Sequence, residues 1–215
     1  MEKYKIKETK YEKKAVYDNA MENRYELTYT FPSNKEKSIL VIALNPATED
    51  IQITDSTTNH ILNNLLPMKF TTITICNVYS LICNKLKPTS IEDNSKNIQY
   101  IKEVLQRNFN TILIAYGNNF QNNRLVQREK KEIDKILDEG KYNAVELVDE
   151  EDIYSRLHTI HPLFAGQRFS GDWKLRKYII NCTTTNRSDE IEKVKKGKKS
   201  DDKKVLDNKT NAKSA

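Results

Sequence analysis

Four short stretches of this 215-residue chain place polar side chains at the ends of apolar runs. They are Asn45-Pro46-Ala47-Thr48, Asn77-Val78-Tyr79-Ser80, Gly117-Asn118-Asn119 and His161-Pro162. In a parallel sheet, ligands bind beyond the carboxyl ends of the strands, which is where such residues gather. Brought together, they form a pocket rim that is polar and nearly uncharged. Asn45-Pro46 and Asn77 have a plainer reading as well, because Asn is common after strands, where its side chain bonds the local backbone, whereas Pro162 fixes the backbone right after His161. Other chemistry-bearing residues carry weaker signals. His158 and His161 give an H-x-x-H pair, but no zinc motif accompanies them, and His158 reads as an edge histidine. Asp149-Glu150-Glu151-Asp152 reads as a solvated loop with helix-capping carboxylates. Cys76 sits inside an apolar run as a core hydrophobe, and no base stands near Cys83 in sequence.

The elements that must position these residues alternate in type. Arg24–Phe31 alternates and is rich in aromatic and β-branched residues, as in a strand with one buried face. Ser38–Leu44, Thr72–Val78 and Thr111–Tyr116 are continuous apolar runs expected of strands buried on both faces, and Asn143–Val148 is a weaker one. Between them lie helical patterns. One is capped by Asp55 or Ser56 and carries Ile61, Leu62, Leu65 and Leu66. A second is capped by Asp93 and carries Ile98, Ile101 and Leu105. A third presents Leu125, Val126, Ile133, Ile136 and Leu137. Trp173–Ile180 reads as a closing helix. Such alternation predicts an α/β fold, a three-layer sandwich around a central, mainly parallel sheet.

Composition narrows the rest. No apolar run approaches the length of a membrane span, and the basic N-terminus lacks the apolar core of a secretory signal. Only five glycines occur, and neither a dinucleotide fingerprint nor a P-loop is present. Three cysteines without C-x-x-C fit a reducing cytoplasm. From Thr183 to Ala215, ten Lys/Arg face six Asp/Glu with no aromatic residue, so the tail carries +4 of the formal +6. The expected organisation is a polar segment at 1–23, an α/β domain at 24–182 and a disordered basic tail at 183–215, a solubilising segment or a non-specific nucleic-acid tether.

Leu44-Asn45-Pro46-Ala47-Thr48 resembles the L-N-P-[SA]-T-x-x-D marker of a family of compact α/β domains of unknown function, with the acidic position shifted to Glu49-Asp50. Asp55-Ser56-Thr57 is similar to that family's D-x-T, Asn77-Val78-Tyr79-Ser80-Leu81 to its N-[LVF]-[FY]-[SA]-L, and His161-Pro162-Leu163 to its late H-P-L. Arg24-Tyr25-x-Leu27 fits its opening strand, and the likeness covers roughly residues 15–180. More distantly, Asn45-Pro46, Cys76-Asn77-Val78 and His161-Pro162 resemble motifs of the uracil-DNA glycosylase superfamily.

That second resemblance implies a glycosylase-like fold and cleavage of the N-glycosidic bond of a flipped, unusual or modified base. In its terms Asn45 positions the attacking water, and Asp50 or Asp55 supplies the base function that an Asn lacks. His161 stabilises charge on the departing base and Asn77 reads the base edge. Pro46, Thr48, Tyr79, Gly117 and Pro162 shape the substrate pocket, with Tyr79 or Phe164 as the stacking ring. No metal or cofactor is required. The partner is DNA in preference to RNA, or a nucleotide. The chain departs from the superfamily where its first motif lacks a catalytic Asp and where Leu163 replaces a Ser. A non-catalytic nucleotide- or base-binding module on the same fold, or an interaction domain with an idle pocket, stays open beside the enzyme.

Overall fold

The computed structural model describes residue 5 and residues 7–48, 50–91, 93–151 and 153–180. The expected disordered tail lies outside the described residues. Within them, seven strands alternate with four α-helices: β1 (Glu12–Tyr17), β2 (Arg24–Thr30), β3 (Ser38–Ala43), α1 (Ser56–Leu65), β4 (Thr72–Asn77), α2 (Ser95–Leu105), β5 (Thr111–Ile114), α3 (Arg124–Glu139), β6 (Ala144–Val148), α4 (Pro162–Arg168) and β7 (Lys174–Lys177). A short 3-10 turn, Pro88–Ser90, precedes α2.

All seven strands join one sheet in the order β1-β2-β4-β3-β5-β6-β7. The central four, β4, β3, β5 and β6, run parallel, whereas β1, β2 and β7 are antiparallel to their neighbours. Ile39, Leu40, Val41 and Ile42 of β3 are fully buried, because helices cover both faces of the central strands. On one face Ile61 and Leu65 of α1 and Ala165 of α4 pack with Leu27, Ile39, Val41, Ile73 and Ile75. On the other, α2 and α3 pack through Ile101, Val104, Val126, Ile133 and Leu137 against Leu40, Ile42, Cys76 and Ile112. Each such aliphatic side chain contributes about 1.5–3 kcal/mol of burial free energy. The expected three-layer arrangement is therefore present, with its parallel part confined to the centre.

Three local expectations are corrected, those for residues 173–180, Leu125 and the α2 cap, and the polar N-terminal segment is found to hold a strand. Residues 173–180 do not close the chain as a helix. They hold β7, paired with β6 in the register Glu146↔Arg176. The buried Glu146 carboxylate accepts from Arg176 Nε at 2.9 Å, a cross-strand contact that local pattern does not display. The polar segment 1–23 contains β1, an edge strand whose lysines read as solvated. Leu125, expected to face inward from α3, is 37% exposed, because Asn123 caps that helix one turn before its buried stripe begins. At α2, the N-cap position belongs to Asn94, while Asp93 caps from one residue further out by accepting from Ser95 N–H and Oγ.

Candidate functional site

Two helices begin at the carboxyl edge of the sheet on the α1/α4 face, and each starts with a residue of chemical interest. Asp55 is the N-cap of α1, accepting from Thr58 N–H at 2.8 Å and from Thr58 Oγ at 3.2 Å. His161 is the N-cap of α4, with Pro162 in the first turn, where the absence of a proline N–H costs nothing. His161 Nδ1 accepts from Leu163 N–H at 3.2 Å. An imidazole nitrogen that accepts carries no proton, so in the neutral ring the proton is assigned to Nε2, which becomes a donor. Burial pulls the His161 pKa below its ordinary value, and the Asp55 charge partly opposes that shift. The ring is thereby held neutral, within electrostatic reach of a carboxylate.

Gly117 sets the position of this ring. It adopts φ +79°, and a Cβ added there would lie 2.9 Å from His161 Cβ. Its N–H donates to Thr159 O at 2.6 Å, and its carbonyl accepts from Lys130 Nζ at 2.9 Å. The connection that carries His161 is fastened from its other side. Glu146 accepts from Thr159 N–H, and Arg176 donates to the carbonyls of Ser155 and Leu157. Asp149, from the acidic run, accepts from the N–H groups of Ile153 and Tyr154 and so caps a turn. His158 Nδ1 lies 2.9 Å from Glu146 Oε1 at the sheet edge.

Asn77 lies on the same face as His161. Strand side chains alternate, and Ile73 and Ile75 face α1 while Cys76 faces α2, so Asn77 points toward the α1/α4 layer. It pairs with Ala43, and Ala115 is the next residue along that row. Ala115 is therefore about two strand spacings from Asn77, and Gly117, two residues further along, is roughly 12 Å away. Asn77 is 2% exposed and its Nδ2 has no partner among the described residues.

Arg24 joins this group through an irregularity in β2. Val16 pairs with Glu26 and Tyr17 with Arg24, leaving Tyr25 as an extra residue. Such a bulge re-aims the side chains before it. Tyr25 and Glu26 both meet Tyr100 of α2, whereas Arg24 donates from Nη1 to Thr48 O at 3.0 Å and bonds Tyr17. Burial lowers its pKa while Asp55, Tyr17 and Tyr29 support the charge. Arg24 is 3% exposed, and its Nε has no partner among the described residues.

Other expected site residues lie apart. Asn45 Nδ2 donates to Cys83 O at 2.7 Å and to Pro46 O at 3.1 Å, so its amide ties the loop after β3 to the loop after β4. Pro46 is buried in that tie, its carbonyl accepting from Cys83 N–H. Burial pushes the Cys83 thiol up, away from the thiolate a nucleophile needs. Asp50 is exposed, and its Oδ1 accepts from Gln52 N–H at 2.7 Å to close a turn. Thr48 reaches the group only through the carbonyl that receives Arg24. Tyr79 packs in the α2/α3 core, its hydroxyl pushed up to about 12 by burial and by Glu129. Phe164 sits edge-on to Tyr154 and is partly exposed on α4. Pro162 is buried beneath the first turn of α4.

Asp55, Gly117 and His161, which the sequence had singled out, thus gather with Arg24, which it had not, and Asn77 shares their face of the sheet. The signals for Arg24 were a cation at the start of an otherwise half-buried aromatic strand and its place at the head of the opening-strand motif, neither of which assigned it to the site. A family model described as "Protein of unknown function (DUF1643)" matches residues 24–163, from this arginine to the first turn of α4. The chain belongs to that family. No curated protein and no solved structure matches it. The DUF1643 segment contains every member of the cluster, while β1 and β7 lie outside it. No helix of the described residues is long and apolar enough to cross a membrane.

Proposed function

We propose that this DUF1643 protein is a glycosylase-like enzyme that cleaves the N-glycosidic bond of a flipped, modified base in DNA. The observation that carries this reading is a pair of buried donors without acceptors, Arg24 Nε and Asn77 Nδ2, on the face that also holds His161, whose Nδ1 is engaged by Leu163 N–H so that Nε2 carries the proton. Buried donors left unpaired cost about 1–3 kcal/mol each, so the arrangement favours a ligand rich in acceptors. A pyrimidine edge, with two carbonyl oxygens that gain charge as the base departs, is such a ligand.

In this mechanism Asn77 holds the base edge. His161 donates from Nε2 to the oxygen that becomes negative when the bond from C1′ to the base nitrogen breaks. Asp55 keeps lone pairs beyond its two capping bonds and lies near the Arg24 cation and the imidazole. It takes a proton from the water that attacks C1′, and the bond electrons leave with the base. Asn45, with its amide engaged by Cys83, supports the pocket wall instead of the water. A binding module without cleavage is the second reading. It is favoured by the double capping duty of Asp55, which ties down the one carboxylate in the cluster.

The test is a screen of single- and double-stranded DNA carrying normal, deaminated and bulky modified bases, with alkali converting abasic sites to breaks. His161→Asn preserves an N-cap acceptor but removes the ring donor, and Asp55→Asn preserves the α1 cap. Breaks at one base type, reduced at least a hundredfold in both variants at unchanged melting temperature, are expected. Binding of that base with no breaks at any enzyme concentration selects the module.

A further inference from the structure

The edge strand β1 carries a pattern that the proposed chemistry does not use. Lys13 and Ala15 of β1 pair with Tyr29 and Leu27 of β2, Tyr11 just before β1 meets Phe31 just after β2, and Tyr17 ends the strand opposite Arg24. Their rings form a stack. Tyr11 lies on Phe31 with centroids 5.2 Å apart and planes at 27°, and Phe31 lies over Tyr29 at 6.4 Å and 11°. Tyr11 is 53% exposed, so one side of its ring faces solvent. Lys13 stands over the Tyr29 ring at 5.1 Å and donates to Ile53 O, leaving two further N–H bonds on its ammonium. Residues 5–14 hold five lysines against two glutamates. A groove lined by Lys10, Tyr11, Phe31 and Pro32, with Glu12 and Glu36 also on its wall, prolongs the stack outward.

The inner end of this strip reaches the candidate site. Tyr17 bonds Arg24, and Tyr29 Oη lies 3.5 Å from Thr54 Oγ, next to Asp55. From Tyr11 to Tyr17 the strand extends roughly 20 Å. Aromatic faces interleaved with cations suit single-stranded nucleic acid, whose bases stack irrespective of sequence and whose phosphates take the lysines. A duplex hides its base faces and cannot use the outer ring.

We propose that the Tyr11–Lys13–Tyr17 strip of β1, with Phe31, is a track for single-stranded DNA that delivers a nucleotide to the Arg24–Asn77–His161 cluster. This rests on the proposed action on DNA and adds that its substrate is single-stranded. The test is fluorescence anisotropy of the full chain with a labelled oligothymidylate, its duplex and the matching RNA, across a salt series. The expected result is tighter binding of the single-stranded DNA. Tyr11→Ala should weaken it about tenfold and Tyr11→Phe should preserve it. Lys13→Gln should lower the salt slope by about one. Unchanged affinity in both Tyr11→Ala and Lys13→Gln overturns the track, as does preference for the duplex or for RNA. Tyr11-dependent binding without excision of any base leaves the track standing and removes the enzyme reading.

Discussion

The two faces of the sheet treat buried charge in opposite ways. On the α2/α3 face, charged groups are matched by partners within the fold. Glu26 receives Arg107 and Tyr100, Glu129 receives Arg128 and Asn94, and Asp134 receives Tyr178, which also bonds Tyr116. The groups left over there are neutral, the Tyr79 hydroxyl and the Asn97 carbonyl. On the α1/α4 face a guanidinium and an amide hold buried donors with no acceptor among the described residues. The first arrangement stabilises a fold without any ligand. The second gains from one. The difference separates scaffold from site more sharply than residue type does, because both faces contain arginine, carboxylate and asparagine.

The largest expected effect tests the scaffold half of that contrast. Glu146 is 1% exposed and accepts from Arg176, Thr159 N–H and His158. Glu146→Ala strands Arg176 and an amide, so urea denaturation should show a loss of about 3 kcal/mol. Glu146→Gln keeps an acceptor for Thr159 and should lose less. Equal losses in the two would mean that charge pairing is not what secures this edge.

A smaller effect follows from Asp134. Burial pushes its carboxyl up to about 6, against the lowering influence of Tyr178 and Lys130. Between about pH 4 and 6 the folded chain keeps a proton that the unfolded chain has released, so stability falls as pH rises through that window. Asp134→Asn keeps an acceptor for the Tyr178 hydroxyl and lacks the titration. Relative to it, the parent should lose on the order of 2 kcal/mol between these pH values, read from urea midpoints. Parallel midpoints would show that the carboxyl titrates alike in both states.

How far the sequence discloses these features depends on whether a partner is local. The runs in β3, β4 and β5 are apolar on both faces and declare themselves. So do Asp55, Asn77, Gly117 and His161, because each follows such a run or caps a helix after one. The edge strands are silent. Lys174-Leu175-Arg176-Lys177 has no period that marks a strand, and becomes one when Arg176 meets Glu146 thirty residues earlier. Arg24 is hidden for the same kind of reason, since the extra residue Tyr25 turns it toward the site and no motif marks that bulge. Asn45 and Tyr79 carry suggestive neighbours, yet one amide is claimed by Cys83 from a distant loop and the other ring falls on the opposite face.

Gly117 is where the two faces touch, and it gives the finest test of their separation. Its carbonyl accepts from Lys130, whose own pKa burial lowers to about 8, on the α3 side. Its Cα lies against His161 on the other. Gly117→Ala places a methyl 2.9 Å from His161 Cβ, at a φ of +79° that disfavours any side chain. Strain of about 1–2 kcal/mol should follow, which a melting curve would register. The more telling readout is the imidazole. With three histidines in the chain, nitrogen-detected NMR can follow the His161 ring by itself. A displaced ring loses the Leu163 amide as its Nδ1 partner, and its single tautomer gives way to a mixture. If the tautomer survives while the melting point falls, α4 holds the ring without help from β5, and the scaffold face has no hand in the site.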